Sequence, residues 1–239
     1  MTGSENGSSR FDELADGRPA ADGQPGADGQ PSPVAPASGD AALAAAAERA
    51  TSTREKNITD LEPLPIPADT ANVRQGPELN PACLSLLPLV GVWRGAGQYG
   101  NGPRDEGPHF GQQLVVSHDG RDFLRYESIT WLLDEHGGPA RLGEREVGFL
   151  RPQPDGSIEL LLTHAEGRIE VFYGQARSVA SWALSTDSVW RTPTGAPVVG
   201  ATRLYGITPD GRLAYVEERA HTDEPLAPHA SAALDRVAG

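Results

Sequence analysis

Gly91-Val92-Trp93-Arg94-Gly95-Ala96-Gly97-Gln98-Tyr99-Gly100 puts four glycines and one tryptophan into ten residues. Strands favour β-branched and aromatic residues and are weakened by interior glycine, so the pattern asks for a reason. Period-two alternation puts Gly91, Trp93, Gly95 and Gly97 on one face. Trp93 can then plug a core, while Gly95 and Gly97 relieve crowding where a curved strand passes other backbone. The same glycines could instead leave room for a flat, bulky ligand against the backbone. The spacing is not that of a phosphate loop, and no helix follows the strand.

Working outward, the periodicity stays at two. Strands are expected at about 90–98, 109–117, 121–133, 143–151, 157–164, 168–176, 178–184, 187–192, 198–208 and 211–221. The turn sequences HDGRD, PDGS, AEGR and PDGR separate several of them and supply the glycine that tight hairpins need. Short connections imply antiparallel pairing, and no crossover helix is visible. The expected fold is all-β: a ten-stranded antiparallel up-and-down β-barrel, which leaves no bare edges. So many strands make an interior too wide for side chains alone and point to a ligand cavity. NPACLSLLPLV before the first strand reads as a short apolar helix or turn. EPLAPHASAALDRVAG at the end reads as a short C-terminal helix, with Pro228 in its first turn and Ala230 and Leu234 on the packed face.

The remainder of the 239 residues is of a different kind. Residues 1–77 are expected to be a disordered low-complexity tail and linker, too poor in apolar side chains to offset the entropy of ordering. Within them, the alanine-rich stretch 40–55 can form a short helix without an apolar face. Residues 78–239 form the folded domain. The single Cys83 excludes an intrachain disulfide and suits a reducing compartment, so a cytoplasmic location is expected. No signal peptide and no apolar run long enough to span a membrane is evident. The net charge of −13, with Lys56 the only lysine, argues against nucleic acid. Neither membrane nor nucleic acid is an expected partner.

Gly91-Val92-Trp93-Arg94-Gly95-Ala96-Gly97 resembles the Gly-x-Trp-x-Gly-x-Gly motif of the nitrobindins, ten-stranded barrels related in shape to fatty-acid-binding proteins that bind haem b. The likeness continues through VSHDGRDFLRYESITW, GFLRPQPDGSIELLLTHAEGRIEVFYG, Thr192-Pro193-Thr194 and Arg203-Leu204-Tyr205 to PLAPHASAALDR. It implies that His229 is the axial iron ligand, that Gly91, Trp93, Gly95 and Gly97 line the cofactor site, and that the barrel isomerises peroxynitrite to nitrate at ferric haem and binds nitric oxide. Partners would then be small reactive nitrogen species, and a homodimer is compatible with the resemblance. The alternative is a barrel that binds haem or a hydrophobic ligand without turnover. Two positions depart from the family: Gly100-Asn101-Gly102 stands where Pro-Thr-Ile is usual after Tyr99, and Ala196 stands where a lysine is frequent.

Among the other histidines, His118 and His164 precede turns and read as surface residues, His109 and His136 as loop residues, and His221 as a second-choice ligand. No HxH or HExxH spacing suggests a zinc hydrolase. Trp93, Trp131, Trp182 and Trp190 read as core, Cys83 as a buried small hydrophobe, and no nucleophile elbow or triad is present.

Overall fold

The structure, a computed structural model, describes residues 39–54, 62–100 and 107–239. The expected disorder of residues 1–38 and 55–61 lies outside the described residues. Two units are separated at Glu62/Pro63. In the first, α1 (Gly39–Ser52) buries none of its side chains, as its alanine-rich composition without an apolar stripe dictates.

Among the described residues the second unit contains ten strands: β1 (Gly91–Tyr99), β2 (His109–Ser117), β3 (Leu124–Leu133), β4 (Pro139–Pro152), β5 (Ser157–His164), β6 (Arg168–Ser178), β7 (Ser181–Arg191), β8 (Val198–Ile207), β9 (Leu213–His221) and β10 (Glu224–Ala238). They pair antiparallel in chain order, and β10 closes the barrel against β1. Gly156 and Gly211 take φ of 86° and 84° at two of the expected hairpin turns, where a side chain would be strained.

The interior has two halves. At the lower end a 3-10 helix, Pro81–Leu89, inserts Cys83, Leu86 and Leu89 beneath the strands. Trp93 Nε1 donates to the Leu89 carbonyl at 2.8 Å, and Trp182 Nε1 donates to the Ser85 carbonyl at 3.0 Å. Each buried indole thus has its N–H satisfied by the plug. Leu114, Val116, Leu124, Leu150, Ile158, Leu160 and Leu213 complete this apolar half. Burial raises the Cys83 thiol pKa to about 11, as befits an inert core thiol. Below the barrel, Thr70 exchanges both backbone hydrogen bonds with His118, at 2.8 and 2.9 Å, and lays residues near 70 across the base. The upper half is polar and charged. Among the described residues no helix is long and apolar enough to cross a membrane.

Several expectations need correction. The chain ends in a strand, not a helix: β10 pairs with β9 on one side and β1 on the other. Alanine favours a helix locally, but a helix there would leave two bare edges, and closure outweighs propensity. The expected strands 178–184 and 187–192 are one strand, β7, so the count of ten is completed by β10. Trp190 lies on the outer face, 71% exposed. His118 and His164 are buried rather than superficial: His164 ends β5 facing inward, and His118 directly follows β2 in an isolated bridge with Thr70.

Candidate functional site

His229 reaches the upper interior through an irregularity in β10. Pro228 pairs with Glu218 and Ala230 with Glu217, so His229 is the extra residue of a β-bulge. Strict alternation would turn it outward beside the inward-facing Ala230; the bulge re-aims it. Its side chain remains 25% exposed, yet Nε2 is buried with no hydrogen-bond partner. Its backbone carbonyl accepts from Gly100 N at 2.9 Å, which ties the bulge to the end of β1.

The opening motif meets this histidine through an aromatic stack. A Cβ on Gly97 would lie 2.7 Å from Phe110 Cε2 and 2.5 Å from the Ser231 carbonyl, and one on Gly95 would lie 2.9 Å from Leu234 Cα. The space left by these glycines is therefore taken by Phe110 and by β10 backbone. Phe110 packs on Tyr99 at 4.4 Å between ring centroids, and Tyr99 packs on His229 at 5.3 Å. Gly91 abuts the Ala238 carbonyl, and Trp93 is fully buried in the lower half, under the Arg236 guanidinium at 4.2 Å.

Beneath His229 lies a chain of buried charges that sequence reading did not single out. Glu144 accepts from Arg219 Nη1 at 2.8 Å and Nη2 at 2.7 Å. Arg219 Nε donates to Glu217 at 2.5 Å, Glu217 lies 3.3 Å from Arg203, and Arg203 donates to Glu146 at 2.5 and 3.0 Å. His164 lies 3.5 Å from Glu146 and 2.7 Å from Glu170, with Arg168 donating to its Nδ1 at 2.9 Å. Tyr126 and Tyr205, 3.1 Å apart, separate this chain from the apolar half. The signal in the sequence was the inward parity of charged residues in EREVGF and VEERAH, where a barrel core would be apolar.

Burial works to raise the Glu144 carboxyl pKa, but His229 and Arg219 outweigh it and hold it well below the usual range. Burial likewise opposes ionisation of Glu146, and Arg203 reverses the shift to a net lowering. Burial and the nearby Glu144 push the Tyr99 phenol up to about 12, so it stays neutral. The cavity enclosed by Tyr99, Gln112, Glu144, Arg203 and Arg219 has room for about one water, some 20 Å³, and Gln112 Oε1 has no protein partner there.

Among the described residues no group of three or more His, Cys, Asp or Glu could hold a bare metal ion. A haem iron needs only one protein ligand, because the porphyrin supplies the other four nitrogens. A single imidazole with a buried, unpartnered nitrogen fits that requirement. His221 faces solvent more, 36% exposed, near Glu224 at 3.7 Å. Ala196 lies in the β7–β8 connection at the same upper rim. Asn101 and Gly102, two residues of the first departure, lie outside the described residues.

Comparison with known proteins converges on one class. The family described as THAP4-like, heme-binding beta-barrel domain matches residues 82–236. The chain is 53% identical over 203 residues to the ferric nitrobindin-like protein of Saccharopolyspora erythraea, covering 84% of this chain and 95% of that one. It is 53% identical over 210 residues to peroxynitrite isomerase 1 of Mycobacterium marinum, covering 84% and 93%. The crystal structure of Rv2717c from M. tuberculosis superposes with a TM-score of 0.57 at 30% identity, covering 66% of this chain and 99% of that one. The fold and the match define a heme-binding β-barrel domain. The chain belongs to the nitrobindin family, in its peroxynitrite-isomerase-like branch.

Proposed function

We propose that the upper end of the barrel binds haem b through His229 and isomerises peroxynitrite to nitrate, with nitric oxide as a further ligand. The observation that carries this reading is the β10 bulge, which delivers one imidazole with an unpartnered nitrogen to the rim of a polar chamber. The similarity to a named peroxynitrite isomerase supports the activity. A lone buried thiol suits a reducing, cytoplasmic setting.

When bound, ferric haem supplies the centre at which the O–O bond is rearranged. The chain's own work is narrower. Peroxynitrite and nitrate have the same atoms and the same charge, so no side chain has to add or remove a proton. Tyr99 stacks on His229 and limits its rotation. Glu144, Glu146, Glu170 and Glu217 face Arg168, Arg203 and Arg219 inside the barrel, four carboxylates against three guanidinium groups. An anion therefore gains little from the interior. The same charges disfavour a fatty acid, whose tail needs a continuous apolar tube.

Haem titration of the purified protein tests the reading. A Soret band is expected, and His229→Ala should abolish or strongly weaken it. Stopped-flow decay of peroxynitrite should accelerate with the holoprotein and yield nitrate. A Soret band unchanged in His229→Ala would reject the ligand, and decay no faster than buffer would reject the isomerase.

A further inference from the structure

We propose that Tyr99 is a modification site: its ring captures nitrogen dioxide that escapes recombination and becomes 3-nitrotyrosine. The inference rests on the haem and peroxynitrite reading above. Tyr99 ends β1, and its ring lies against the His229 imidazole at 5.3 Å between centroids. The contact is with the imidazole itself, so it holds whichever ring nitrogen meets the iron. Phe110 backs the phenol at 4.4 Å, and the Tyr99 hydroxyl lies 3.4 Å from Thr130 Oγ1. Tyr99 is half-buried, which leaves part of the ring open to a small radical.

The chain has five tyrosines, and the others are placed differently. Tyr126 and Tyr205 are 3% and 4% exposed, with their hydroxyls tied to each other. Tyr215 packs on Tyr205 at 5.7 Å. Tyr173 is 46% exposed on the outer wall. The single thiol, Cys83, is fully buried in the lower half and is withdrawn as a competing target. The co-reactant is nitrogen dioxide, set free when O–O cleavage is not followed by recombination. One molecule takes an electron from Tyr99 and becomes nitrite, while the phenolic proton passes to water. A second bonds to the ring carbon beside the oxygen, and the hydrogen of that carbon moves to the oxygen. Tyrosine and two nitrogen dioxide molecules thus give nitrotyrosine, nitrite and a proton.

The experiment treats the full chain, with and without haem b, with peroxynitrite in bicarbonate-free buffer. Nitration at each tyrosine is read by mass spectrometry of proteolytic peptides. Nearness to the source and exposure to bulk solvent give opposite orders. With haem, the Tyr99 signal should exceed that of Tyr173. Without haem, and in His229→Ala, the order should reverse, because Tyr173 is the more exposed. Tyr99→Phe, which keeps a ring against His229, should pass more nitration to free tyrosine added as a probe, per peroxynitrite consumed. The same order with and without haem, or an unchanged yield on the added tyrosine, would overturn the inference; a Soret band and accelerated decay in the same samples would leave the haem reading intact. Failure of the unaltered chain to take up haem, or decay no faster than buffer, would overturn both.

Discussion

At the scale of single residues, two histidines show how position alone sets different chemistry. His229 is turned inward by a bulge and faces a carboxylate. His118 is 1% exposed and has no hydrogen-bond partner for either ring nitrogen. Burial lowers the His118 pKa below the usual value, with Asp119 and Asp69 opposing it more weakly. The folded state therefore resists protonation of this ring more than the unfolded chain does. The sign follows: stability is unaffected well above about pH 6.5 and falls as pH drops through that value, by at most about 1.4 kcal/mol per pH unit for one group. Urea unfolding midpoints between pH 7.5 and 5.5 should fall for the unaltered protein, and His118→Leu should flatten that fall. Parallel slopes in the two proteins would exclude His118 as the source. Nothing in SHDG distinguishes this buried ring from a surface turn, because the bridge that holds its backbone is to Thr70, 48 residues earlier in the chain.

Among the elements, β10 marks the limit of what the sequence shows. Hairpins with Asp-Gly and Glu-Gly turns were legible because their signals are local, and so was the short apolar helix before β1, though not its place beneath the strands. ASAALDR was not legible, since alanine supports a helix in isolation and its strand partners, β1 and β9, lie far apart in the chain. The opening glycines hold the other half of that information. Small residues on β1, Gly95 and Gly97, meet Ala232, Ala233 and Leu234 on β10 across a tight seam. His229 as a candidate was legible only through resemblance, while its inward aim depends on a bulge that no local pattern announced. Leu234, fully buried at the seam, should be the residue on which closure depends most. Leu234→Ala is expected to destabilise by about 2–5 kcal/mol in denaturant unfolding. A loss below about 1 kcal/mol would mean that β10 adds little to the barrel.

On the scale of the whole molecule, the interior separates stability from function. The apolar lower half, with its 3-10 plug and two satisfied indoles, resembles an ordinary core. The upper half buries charges that each need a partner, and such networks hold position more than they add stability. The charges were hidden from sequence reading because their pairing joins β4, β5, β6, β8 and β9 across the barrel. This division predicts where haem acts. A ligand that binds only the folded state stabilises it, by about 2.7 kcal/mol at a hundredfold excess over its dissociation constant. Thermal melts should rise with haem in the unaltered chain and not in His229→Ala. Hydrogen exchange should slow on haem binding at the upper ends of β1, β2 and β10, around Tyr99, Phe110 and His229, which pack together there. The amides of Leu114, Leu160 and Leu213 in the lower core should exchange at unchanged rates, apart from a uniform slowing if they exchange only by global unfolding. Protection confined to the lower half instead would place the cofactor at the wrong end of the barrel and remove His229 as its ligand.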